Sequence, residues 1–299
     1  MTPVITEERS TSRRTLSRRG FLGLTGGAVA AALVGDSLLI EPNRPQLVRK
    51  ELALPRWPEA LDNYKIALLS DFHYDPVFSV HPLRAAIPVV NALRPDLIAL
   101  TGDFVSEPNF GGSRRRAAYA AEPCARLLRQ MRAPHGLWAV MGNHDAFTDP
   151  DLVTSILRST GIRVLSNQSV PIEHAGGRFW LSGVDDVMNG DSDLAAALAN
   201  VARAEPTVLL AHEPDYADYV SRHPVDLQLS GHSHGGQVRL PFLPPFYEPP
   251  LARKYIAGLY QVGALTLYTN RGLGTIGLPI RFDCPPEITL ITLRPVTGS

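Results

Sequence analysis

From residue 65 onward the chain alternates short apolar runs with stretches of helical periodicity, and this alternation constrains the fold more than any other feature. Runs at 65–70, 97–101, 137–141, 179–183, 207–211 and 226–230 are five or six residues long and read as buried strands. Segments 83–93, 117–132, 151–159 and 193–204 read as helices, and Pro95 and Pro134 stand where the first two should stop. After Gly231 the chain becomes Gly- and Pro-rich and β-like, with a strand at 265–269 and an alternating one at 287–293. No internal repeat is present. The pattern predicts one α/β domain over 62–299 with a mixed or layered sheet, long enough to bury a sizeable core.

Polar residues cluster where these strands end. Ser70-Asp71-Phe72-His73 follows the first, Thr101-Gly102-Asp103 the second and Met141-Gly142-Asn143-His144-Asp145 the third. Ala211-His212-Glu213 and Ser230-Gly231-His232-Ser233-His234 follow later ones. Ligands of open α/β sheets bind outside the carboxyl ends of the strands, so these clusters are expected to meet at one edge. Asp-x-His and His-x-His are expected to present both side chains to one side, as alternate residues leaving a strand do. Two Cys in 299 residues cannot build a thiolate cluster, so a metal here must use His, Asp, Glu or Asn. Each motif alone also fits ordinary structure, a turn for Gly-Asp or a helix cap for Asn-His-Asp.

Taken together and in order, Asp71-x-His73, Gly102-Asp103, Gly142-Asn143-His144-Asp145, His212 and Gly231-His232-x-His234 resemble the signature of the calcineurin-like metallophosphoesterases, over residues 65–295. The resemblance implies an α/β, four-layer αββα sandwich of two mixed β-sheets, with a two-metal centre at one edge. It implies that Asp71, His73 and His234 hold one divalent ion and Asn143, His212 and His232 the other, with Asp103 bridging. A bridging carboxylate offsets two close cations, and neutral imidazoles and an amide preserve their Lewis acidity. The resemblance places His144 beside the substrate as proton donor or charge stabiliser. Asp145 then either orients His144 or initiates a helix. Purple acid phosphatases carry a Tyr ligand three residues after the Gly-Asp aspartate; Ser106 stands there, which leaves Mn, Zn, Fe or Co.

The implied activity is that of a metal-dependent phosphoric ester hydrolase acting on a phosphodiester through metal-activated water. A phosphomonoesterase or nucleotide pyrophosphatase is the alternative among enzymes. A metal-dependent lipid- or glycan-binding module without turnover is the alternative outside them.

Residues 1–30 carry five Arg against two acids, and an uncharged run follows over 21–34. Ser17-Arg18-Arg19-Gly20-Phe21-Leu22 resembles a twin-arginine export signal, and Ser12-Arg13-Arg14-Thr15-Leu16 is a poorer copy. Ala28-Val29-Ala30 or Ala30-Ala31-Ala32 fits a cleavage site; uncleaved, residues 1–40 serve as an anchor. The expected partners are therefore the export machinery and a membrane surface, and the expected location is periplasmic or outward-facing. Pro42, Pro45, Pro55 and Pro58 predict an extended linker over 41–61. The overall balance of 29 basic and 29 acidic residues argues against a specific nucleic-acid partner. Beyond residue 30 the balance is 24 basic to 27 acidic.

Three segments bear on the substrate. Residues 110–116 end in Arg114-Arg115-Arg116 and read as a solvated helix start or an anion-attracting loop. The Pro-rich stretch 240–251, with Phe242, Leu243, Phe246 and Tyr247, is expected to wall the site or to cover the core; as a wall it suits a lipid-linked phosphoester. Asn270-Arg271-Gly272-Leu273-Gly274 together with that stretch resembles the exported phosphodiesterase branch of the family, some of whose members act on diacylglucosamine-type sugar nucleotides or phospholipids. Arg271 is read there as a bidentate phosphate clamp, with a salt bridge as the alternative.

Overall fold

The computed structural model describes residues 17–108 and 112–296. The poorer arginine motif at 12–16, and Phe110 and Gly111 of the basic loop, lie outside them. Twelve strands run in order: β1 Gln46–Leu54, β2 Tyr64–Leu69, β3 Leu97–Thr101, β4 Leu137–Val140, β5 Arg163–Val164, β6 Gln168–His174, β7 Gly177–Gly183, β8 Thr207–Leu210, β9 Leu227–Ser230, β10 Gly258–Val262, β11 Leu265–Thr269 and β12 Glu287–Pro295. They form two six-stranded mixed sheets, ordered β1-β12-β2-β3-β4-β5 and β10-β11-β9-β8-β7-β6. The helices are α1 Arg18–Gly35, α2 Val80–Leu93, α3 Arg114–Ala118, α4 Ala121–Leu128, α5 Asn143–Thr148, α6 Pro150–Ser159, α7 Leu194–Leu198 and α8 Ala217–Val220.

Three apolar cores define the four layers. One joins the first sheet to α2, α4 and α6, with Leu83, Val90, Leu128 and Leu157. A second lies between the sheets, where Leu68, Val140, Leu181 and Leu229 meet. The third packs α7 and α8 on the second sheet through Leu194, Val220 and Leu267. β2, β3, β4, β8 and β9 run parallel to a neighbour within their sheets and are almost wholly buried, as their unbroken apolar runs require.

The segment 41–61 is not a linker. Gln46–Leu54 pairs in parallel with β12 from Gln46↔Glu287 to Leu54↔Pro295, and Leu52, Leu54, Trp57 and Leu61 enter the inter-sheet core. The prolines bracket the strand instead of interrupting it, and it lies at a sheet edge, where they are tolerated. The predicted helix 117–132 is two, α3 and α4. Pro123 sits in the first turn of α4, where its missing N–H breaks no helical bond. Ser113 caps α3, so the arginines 114–116 form a helix start, and Arg114 lies 3.8 Å over the Phe147 ring.

Phe21–Asn43 has mean hydropathy 1.6 and is long and apolar enough to cross a membrane by length and composition. Its lower end is fastened to the catalytic domain. The Ser37 carbonyl accepts from Arg281 N at 3.0 Å, and the Glu41 carboxylate accepts from Asp283 N at 3.0 Å and Cys284 N at 2.6 Å.

Candidate metal centre

The strand-end clusters converge at one edge, where the two sheets meet. Asp71, His73, Asp103 and His234 bring one ligand atom each within 4.8 Å of one another, and Asp103, His212 and His232 do the same. All six are buried and Asp103 belongs to both groups. Asp103 Oδ2 lies 3.2 Å from His212 Nε2 and 3.4 Å from His73 Nε2. Asn143 Oδ1 stands 3.2 Å from His212 Nε2, which places the amide beside the second group. His73 Nε2 and His234 Nε2 approach to 3.0 Å, and His234 Nδ1 is buried with no hydrogen-bond partner. Imidazole nitrogens aimed at carboxylate oxygens and at each other form a donor set that a cation satisfies.

The side chains do not converge through the strand pleat. Asp71, His73, Asp103, His232 and His234 have φ of 52°, 40°, 57°, 67° and 51°, all in the left-handed region that L-residues avoid. Each such residue costs about 1–2 kcal/mol, a concentration of strain typical of functional sites. Backbone bonds offset it: Asp71 N donates to Gly102 O at 3.0 Å and His73 N to Asp103 O at 2.9 Å. His232 N donates to both Asp71 carboxylate oxygens at 3.0 Å, joining the two sheets. The contact leaves no space for a side chain at Gly231, whose Cβ would fall 2.4 Å from Asp71 Oδ2. Gly142 is pressed as closely, with Asp103 Oδ1 2.3 Å from an added Cβ.

Charges within the cluster are strongly interdependent. Burial opposes ionisation of Asp103, yet the His212 and His144 imidazoles outweigh it and hold the carboxyl well below its ordinary value. Burial likewise disfavours His212 as a cation, and Asp103 reverses this and raises it. Burial pushes Asp71 up. Burial lowers His232 to about 4 and holds His234 down as well, so both are neutral, the form a metal requires.

The supporting contacts select the nitrogens. His212 Nδ1 is 2.5 Å from the Thr101 carbonyl and His73 Nδ1 is 3.2 Å from Ser106 Oγ, which turns each Nε2 inward. His232 is held the other way, with Nε2 2.8 Å from the Pro250 carbonyl and Nδ1 left for the cluster. Ser106, Thr101 and Pro250 were not expected as site residues. The sequence marked Ser106 by its place three after Asp103, Thr101 only as part of a strand-end cluster and Pro250 only as part of the Pro-rich stretch. The Pro-rich stretch does wall the site: Tyr247, Pro249 and Pro250 line a recess with Asp103, Asn143 and His144. Phe242, Leu243 and Phe246 project into solvent and do not cover core.

His144 lies outside both ligand groups and lines the cleft beside them, its ring 4.8 Å from that of His73. Its Nδ1 accepts from Glu107 N at 3.3 Å, which leaves the proton of the neutral ring on Nε2. Burial lowers its pKa to about 4. Asp145 does not orient this imidazole. Its Oδ1 accepts from Phe104 N and Val105 N at 2.9 and 3.1 Å, and Oδ2 accepts from Gly142 N at 3.0 Å. It caps α5 and braces the Asp103 loop, because three converging backbone N–H groups outcompete a neighbouring ring. Arg271 is not a free clamp either: Nε donates to Glu287 Oε2 at 2.5 Å and Nη2 to Gln46 Oε1 at 2.8 Å. The strand β1, read as linker from the sequence, supplies that second partner.

A family model of the calcineurin-like phosphoesterases matches residues 64–236. The chain belongs to that family. Among relatives of this phosphoesterase, an uncharacterized metallophosphoesterase, YkuE of Bacillus subtilis (strain 168), is 35% identical and the match covers 94% of this chain and 99% of that one. Phosphodiesterase YaeI of Escherichia coli (strain K12) is 32% identical, covering 93% and 99%. UDP-2,3-diacylglucosamine pyrophosphatase LpxG of Chlamydia muridarum is 27% identical, covering 84% and 90%. The phosphoesterase is thus a metal-dependent hydrolase of phosphoric esters by family, with a donor cluster suited to its metals.

Proposed function

We propose that this phosphoesterase is a binuclear phosphodiesterase, exported and held facing outward at a membrane surface, acting on a lipid-linked phosphodiester. The observation that carries the reading is the pair of ligand groups sharing Asp103. Asp71, His73, Asp103 and His234 would hold one ion and Asp103, Asn143, His212 and His232 the other. When bound, two such divalent ions supply a low-pKa water and a clamp for phosphoryl oxygens. Asp103, whose Oδ2 lies beside ligands of both groups, would be shared between the two ions. Gly142 and Gly231 allow the loops bearing Asn143 and His232 to close on Asp103 and Asp71. His144 points its Nε2–H at the leaving oxygen as a hydrogen-bond donor that stabilises the developing charge, and the Glu107 N–H fixes its tautomer. The E. coli relative is named a phosphodiesterase, which supports the ester class; the C. muridarum relative favours a pyrophosphatase as second reading.

Metal-loaded protein is expected to hydrolyse bis-p-nitrophenyl phosphate well above p-nitrophenyl phosphate. Inactivity on both with tight lipid binding would instead indicate a binding module. His144→Ala should lower kcat by about 10²–10³-fold on an alkyl leaving group and less on p-nitrophenolate, whose charge needs little stabilisation. Its metal content should stay at the wild-type level; loss of metal in that variant would place His144 among the ligands.

The pair Arg18-Arg19 directly precedes the apolar run from Phe21, which supports twin-arginine export. Arg18→Lys with Arg19→Lys is expected to retain the protein in the cytoplasm. Unchanged export of the double variant would remove that route.

A further inference from the structure

The cleft beside the metal ligands adjoins a second cavity of different character. The cleft, about 520 Å³, is lined by His73, His144 and Glu107, among others. The neighbouring cavity, about 200 Å³, is mainly apolar, with Leu38, Leu39, Pro42, Val77 and Pro82 in its wall. The two share Phe78, Ser79, Thr275 and Pro279. Leu38, Leu39 and Pro42 belong to the membrane-length segment Phe21–Asn43, so one wall of this cavity is the foot of the apolar helix itself. Val77, Phe78 and Leu278 stand beside these openings with 58%, 52% and 66% of their surface exposed. Large apolar side chains grouped at the base of such a helix mark a surface that meets something apolar.

We propose that this second cavity takes one acyl or alkyl chain of a membrane phosphodiester, which enters along the foot of the helix and sets the phosphate against His73 and His144. The inference rests on the phosphodiesterase reading and adds where the tail of the substrate goes. Two continuities identify the occupant. At one end the cavity is lined by a segment apolar enough to lie in a bilayer, and at the other it shares its wall with the cleft that holds His73 and His144. A molecule filling both spaces must carry an apolar tail next to an anionic phosphoester.

A series of alkyl p-nitrophenyl phosphates from methyl to octyl, used as monomers on the metal-loaded full-length protein in amphipol, tests this. Each methylene moved from water into the cavity should raise kcat/KM by about fourfold until the space is filled. Leu39→Trp and, independently, Val77→Trp fill the cavity from different segments, and each should cut the octyl-to-methyl ratio at least tenfold. A flat series with an active methyl ester overturns the chain site and leaves the phosphodiesterase reading standing. No hydrolysis of any ester overturns both. A rise that both folded Trp variants leave intact puts the tail elsewhere and overturns the inference.

Discussion

Asp103→Asn is expected to reduce turnover by roughly 10²–10³-fold, the scale of losing a principal electrostatic group in a preorganised site. The carboxylate belongs to both ligand groups, with Oδ2 near His73 and His212 and Oδ1 accepting from His144 N at 3.0 Å. An amide keeps the shape but surrenders the charge that holds two cations close together. It also removes the partner that raises His212. Elemental analysis should therefore find fewer than two metal equivalents, with the fold intact by circular dichroism. Near-normal activity with two metals retained would sink the shared-carboxylate assignment.

Removing the metals should be the largest change in stability that needs no mutation. Without them the edge holds two buried carboxylates and four buried imidazoles packed in direct contact, with His234 Nδ1 unpartnered. A ligand present at a thousand times its Kd stabilises the folded state by about 4 kcal/mol, worth roughly 8–16 °C of Tm in a domain of this size. Calorimetry before and after chelation measures it; an unchanged Tm would contradict a structural role for the ions. The pH dependence has a definite sign. Asp103 raises the pKa of His212 despite its burial, and that ring must shed its proton for Nε2 to ligate. Metal binding therefore releases a proton and tightens as pH rises through the His212 titration.

The core of the strand-and-helix order was legible because β2, β3, β4, β8 and β9 are buried on both faces and so read as nearly unbroken apolar runs. The donor set was legible because its residue types lie within a few positions of strand ends. What misled was local reasoning at the edges of these patterns. Counting prolines over 41–61 suggested a linker, although the nine residues between Pro45 and Pro55 are proline-free and make β1. Adjacency suggested that Asp145 serves His144, whereas its oxygens are engaged by the N–H groups of Gly142, Phe104 and Val105. The Arg271 guanidinium meets Glu287 and Gln46 because β1 and β12 lie side by side, a pairing no local pattern announces.

The sequence by itself determined the α/β layering, the identity and order of the metal-ligand residue types, and the apolar helix ahead of the domain. Those properties follow from periodicity and side-chain chemistry, which are local. Only the tertiary structure decided which imidazole nitrogen faces inward, since Thr101, Ser106 and Pro250 set that choice from separate segments. It alone revealed that five of the donors stand on left-handed backbone, held there by bonds between distant strand ends. It also fastened the foot of the apolar helix to the catalytic domain, through contacts of Ser37 and Glu41 with residues 281–284. These are couplings between segments far apart in the chain, and geometry of that kind exists only once the two sheets have closed.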